Sequence, residues 1–101
     1  MEKKDFARRL VSLRMDKNVS AREMSLALGQ SPGYINNIEN GANYPSMALF
    51  FYICEYLDVT PEEFFAEENV HPAKVRALAE AARHLSADQI DRLTAIAREL
   101  K

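Results

Sequence analysis

Between Val19 and Gly41 the chain reads VSAREMSLALGQSPGYINNIENG, and this run spells out two short capped helices. Ser20 with Glu23 forms a capping box, Met24 and Leu28 supply an inward face, and Gly29 suits the left-handed position that ends a helix. A second start follows at once. Ser31 can cap the next helix, Pro32 fits its first position, where no N–H is needed, Ile35 and Ile38 point inward, and Asn40-Gly41 closes it. Helices this short do not persist alone in water, so the pair demands a surrounding bundle. That demand limits the fold more than any other feature of the sequence.

The flanking residues can supply the bundle. Phe6, Leu10 and Leu13 share one face of a helix spanning about Asp5 to Lys17, which Asn18 can leave through a left-handed turn. Ser46 opens a fourth helix reaching Leu57, with Met47, Phe50, Phe51, Cys54 and Leu57 expected as its inward stripe and Asp58 ending it. Thr60-Pro61-Glu62-Glu63 joins a cap, a first-position proline and a box-closing glutamate, starting a fifth helix that carries Phe64 and Phe65. Apolar residues recur throughout at helical spacing and strand alternation is absent, so the expected fold class is all-α.

Residues 69–101 are set apart from residues 1–68 as an expected C-terminal helical hairpin. His71-Pro72 opens a helix bearing Val75, Leu78, Ala82 and Leu85; Ser86 and Gln89 box the next, which bears Ile90, Leu93, Ala97 and Leu100. Each stripe is thin and needs a further surface. Leu49, Tyr52 and Tyr56 make the fourth helix apolar nearly all round, and such a helix is buried on more than one side. The hairpin is therefore expected to cover that face, within one chain or exchanged across a dimer.

Composition excludes several classes of function. Of the 101 residues 48% are hydrophobic and 28% charged, as in a small globular protein. The longest apolar stretch, Met47 to Cys54, is far too short to span a bilayer and no leader-like pattern precedes it, so a cytoplasmic location is expected. A single cysteine, Cys54, rules out an internal disulfide. His71 and His84 stand at ligand spacing neither with each other nor with Cys54, so no metal, cofactor or catalytic residue is assigned. Charge is polarised: residues 1–45 hold seven Lys or Arg against five Asp or Glu, and residues 46–70 hold six acids and no base. This pattern opposes general coating of nucleic acid and fits a narrow positive face.

Several of these elements, taken in order, resemble the Cro and lambda-repressor-type helix-turn-helix family, also called the XRE family. They are Arg14, the SAREM opening of the second helix, Gly29, YINNIENG at Tyr34 to Gly41, Pro45-Ser46, and VTPEEFF at Val59 to Phe65. The resemblance covers residues 6 to 65. It implies a five-helix DNA-binding bundle, here followed by the two-helix hairpin. The helix from Ser31 to Asn40 would then lie in the major groove. Family members usually present long polar side chains where this chain has Pro32 and Gly33, so base readout moves to Tyr34, Asn36 and Asn37, with Ser31 on a phosphate or base. Ala21 stands where the family has glutamine, and the loop Ala42-Asn43-Tyr44 lacks the usual cation. Backbone amides at the two helix N-termini, Asn40, Asn43 and Tyr44 remain as phosphate partners, with Arg22 and Lys17 as local cations or simply solvated charges. By the same resemblance Arg14 and Glu39 would pair across the domain.

These readings converge on a sequence-specific regulator of transcription that binds double-stranded DNA, a repressor acting as a homodimer on an inverted repeat, with no small-molecule ligand evident. The alternative is a protein-interaction module of the antitoxin, antirepressor or accessory-subunit kind, built on the same scaffold and using the apolar C-terminal surface.

Overall fold

The computed structural model describes residues 1–100, which form seven helices and no strand. They are α1 Lys3–Lys17, α2 Ala21–Ala27, α3 Tyr34–Glu39, α4 Met47–Leu57, α5 Pro61–Phe65, α6 Pro72–Ala82 and α7 Ala87–Glu99. The fold is thus all-α, five helices followed by two more. None of the described helices is long and apolar enough to cross a membrane.

Helix ends follow local chemistry closely. Ser20, Thr60 and Ser86 each accept a hydrogen bond from the N3 amide, and each cap's own N–H donates to the N3 side-chain oxygen, completing three capping boxes. Glu2 and Asp5 make a fourth, so α1 begins earlier than the expected Asp5. Four helices turn out of the bundle through a left-handed residue, at Asn18, Gly29, Gly41 and Asp58. In each, paired backbone bonds reach back into the last turn: Gly29 N–H to the Leu26 carbonyl and Gln30 N–H to that of Ser25, for example.

The core draws on all five of the first helices. Phe6, Leu10 and Leu13 of α1 meet Met24, Ile35, Ile38, Phe50, Ile53, Leu57 and Phe64. Phe64 sits at its centre, 4.9 Å from the Phe6 ring and edge-on to Phe50 at 5.2 Å. The expected stripe of α4 is displaced. Met47 and Phe51 are exposed, and Ile53 takes their place beside Phe50, Cys54 and Leu57. Because α4 is apolar all round, hydrophobic spacing does not set its rotation; contact with α1 and α5 does. Burial pushes the Cys54 thiol up to about 11, as befits a small apolar residue rather than a nucleophile.

Arg9 is a buried charge that sequence pattern leaves unmarked. Its guanidinium donates to the carbonyls of Phe64 (2.6 Å), Glu63 (2.7 Å) and Asn69 (3.0 Å), satisfying the end of α5 and the chain leading to α6. Desolvation lowers its pKa, and Glu67 and Glu68 work against that shift.

Beyond Asn69 the molecule changes character. The start of α6 is anchored by buried Pro72, by His71 Nδ1 at 2.6 Å from Asp16, and by Arg76 on Asp58 and Glu63. Farther along, contact stops. Val75, Leu78, Ile90, Leu93 and Leu100 are all exposed, and Leu85 is partly so. α6 and α7 do not cover α4 within the chain, since Tyr52 is 57% exposed. The radius of gyration, 16.3 Å, exceeds the roughly 13 Å of a compact chain of this length, because α6 and α7 extend as an arm.

Candidate nucleic-acid interface

The α2–turn–α3 unit is locked by one hydroxyl. Ser25, fully buried on α2, donates to the Ala21 carbonyl at 2.7 Å and accepts the Ile35 N–H of α3 at 3.0 Å. A mid-helix serine that bonds back to residue i−4 is ordinarily a mild cost; here its lone pair satisfies an amide at the start of the next helix. Nothing in the spacing of the sequence tells this buried serine from an exposed one.

The lock moves the start of α3. Ser31 makes no side-chain cap; its carbonyl accepts the Tyr34 N–H at 3.1 Å across Pro32-Gly33, with Gly33 at φ −94°, ψ 2°. That is a type I turn with proline at its favoured position, and it corrects the expected start at Ser31–Pro32. Gly33 becomes the N-cap and α3 is only six residues long. The amides of Glu23, Tyr34 and Ile35 are already bonded within the chain, so the helix N-termini offer fewer free donors than the sequence suggests.

On α3 the faces are cleanly divided. Ile35 and Ile38 are buried, whereas Asn36 and Asn37 are exposed side by side, with Asn40 exposed at the C-cap. Tyr34 is a mixed case: its ring packs partly against the core, and burial raises its hydroxyl pKa. Ser31, Arg22 and Asn43 are exposed, and Arg22 makes no ion pair among the described residues. Tyr44 donates its hydroxyl to the Met1 carbonyl at 3.0 Å and lies edge-on to Phe6, so the bond that the sequence reading reserves for a phosphate is used internally. Lys17 places its ammonium over the Tyr56 ring, 5.1 Å from the centroid.

Behind the exposed amides stands a rigid brace. Arg14 donates from Nε and Nη2 to the two carboxylate oxygens of Glu39, at 2.7 and 3.0 Å, and from Nη1 to the Val19 carbonyl at 2.9 Å. With side-chain exposures of 16% and 7%, the fork is shielded from solvent. The hydrogen bond to Glu39 raises the Arg14 pKa. One residue thereby ties α1, the entrance to α2 and the end of α3 into a single body.

Among the described residues no group of three or more His, Cys, Asp or Glu could hold a metal ion. The surface offers instead a short helix with adjacent amides on a stiff support. A family model described as helix-turn-helix matches residues 10–64, which span α2 to α4 whole and most of α1 and α5. Neither a curated protein nor a solved structure matches the chain.

Proposed function

The chain belongs to the helix-turn-helix family of the Cro and lambda-repressor type, whose members bind DNA as transcription regulators, and we propose that it is a sequence-specific repressor gripping an inverted repeat as a homodimer. The observation that carries this reading is the pair Asn36 and Asn37, exposed on α3 while Ser25 and the Arg14–Glu39 fork hold that helix still. An asparagine amide can pair bidentately with adenine, each such pair discriminating by about 1–3 kcal/mol. Ser31, Asn40 and Asn43 flank the same surface and serve the phosphates; Arg22 adds a charge.

Two copies are needed because one six-residue helix reads few base pairs. The exposed apolar residues of α6 and α7, with Leu93 and Ile96 central, support the arm as the dimer contact. In that arrangement Tyr52 and Tyr56 of one copy can receive the arm of the other.

Selection of duplexes from a random pool at about 0.15 M salt tests the reading. An enriched inverted repeat is the expected result, and Asn36→Ala with Asn37→Ala should abolish the enrichment while leaving the melting temperature nearly unchanged. Gly33→Gln gives a gain-of-function counterpart. A Cβ there meets nothing within 4 Å and φ is ordinary, so an added amide should tighten binding.

A second reading, a protein-interaction module, draws on the same apolar arm and on the absence of any Lys or Arg from α3. Under it the asparagine pair is silent, and Leu93→Asp abolishes association with a partner protein instead.

A further inference from the structure

After Glu39 the chain runs back along the first half of α1. One fixed point is the Arg14–Glu39 fork, and the other is Tyr44, bonded to Met1 and resting on Phe6. Between them lies a shallow groove of about 210 Å³, with Lys4, Arg8 and Val11 on the α1 side and Glu39, Asn40 and Gly41 on the other. Arg14 already claims both Glu39 oxygens, so that carboxylate does little to neutralise the lining. Lys4 and Arg8 are each 73% exposed, and their partners Glu2 and Asp5 stand at 3.7 and 3.5 Å. Exposed pairs at such distances are easily exchanged for a stronger anion.

The loop beside them, Ala42-Asn43-Tyr44, carries no cation of its own. We propose that Lys4 and Arg8 supply it from α1, forming a phosphate-gripping edge of the DNA interface next to Asn40 and Gly41. The ligand is the phosphodiester backbone, so these contacts position the protein without reading sequence. The inference rests on the DNA-binding reading above. It also gives a role to the basic start of the chain, which the helix-turn-helix itself leaves unused.

The test measures affinity of the full chain for the selected duplex and for an unrelated duplex of equal length, from about 0.05 to 0.2 M salt. Lys4→Gln with Arg8→Gln should weaken binding to both duplexes alike and flatten the plot of log affinity against log salt by about 1.8, at 0.9 per phosphate. Arg8→Lys should keep the wild-type slope, as should Lys74→Gln with Arg83→Gln on the arm. A double variant with the wild-type slope overturns the proposal while leaving the DNA-binding reading standing. So does one that loses only its preference for the selected duplex. If the wild-type chain binds neither duplex, both fall.

Discussion

The body formed by α1 to α5 and the arm formed by α6 and α7 use the same local signals and reach opposite outcomes. α2 and α7 both open with a complete capping box, Ser20–Glu23 and Ser86–Gln89. Yet α2, seven residues long, buries Met24 and Ser25, whereas α7, thirteen residues long, buries nothing. Caps and spacing decide where a helix starts and stops; an interior needs several apolar faces converging on one point. Around Phe64 that convergence exists. Along the arm each stripe faces solvent.

The largest expected contrast lies in truncated leucines. Leu10 is wholly buried and Leu78 is 64% exposed. Leu10→Ala should cost about 2–5 kcal/mol in urea denaturation, through lost transfer energy and the cavity left behind. Leu78→Ala should stay within about 0.5 kcal/mol at concentrations where the chain is monomeric. If the arm is the dimer contact, the Leu78 variant should instead lose part of the concentration dependence of the melting temperature. An equal loss from both leucines in the monomer would erase the distinction between body and arm.

A smaller effect separates the lock from the packing around it. Ser25→Ala removes little volume but leaves the Ile35 N–H buried without its acceptor, a cost of about 1–3 kcal/mol. Amide exchange at Ile35 should quicken, and DNA affinity should fall more than stability alone accounts for, because the start of α3 loses its fixed position. Ser25→Thr keeps the hydroxyl and should recover most of the affinity. Unchanged exchange at Ile35 would mean that packing alone sets the turn.

The parts of the fold that were legible in the sequence depend on short-range chemistry. Ser20, Thr60 and Ser86 cap where their boxes say, and Asn18, Gly29 and Gly41 take the left-handed exits. Where an outcome depends on three-dimensional contact, sequence was a weaker guide. The rotation of α4 put Ile53 inside and Met47 outside, although both are apolar. Arg9 and Ser25 look like surface residues until their partners, 55 and 10 positions away, are known. At the candidate interface periodicity puts Asn36 and Asn37 on the face opposite Ile35 and Ile38, and it is the family resemblance that turns that face toward DNA. Lys4 and Arg8 could not be found in this way, because only the return of the chain along α1 brings them beside Gly41.

The smallest effect gives the sharpest comparison, because the same chemical change is made in both regions. Ser20→Ala and Ser86→Ala each delete a cap that accepts from the N3 amide, at 2.9 and 3.2 Å. Losing such a cap costs its helix about 1 kcal/mol. In α2 that loss should appear in full as global destabilisation, because α2 unfolds only when the core around Met24 does. In α7 the helix can fray without opening the body, so the denaturation midpoint should scarcely move and the loss should show as faster amide exchange confined to α7. Raising the protein concentration then discriminates further. If α7 is buried in a dimer, its exchange should slow and the Ser86→Ala penalty should enter the global transition; if exchange in α7 ignores concentration, the arm is not a dimer contact.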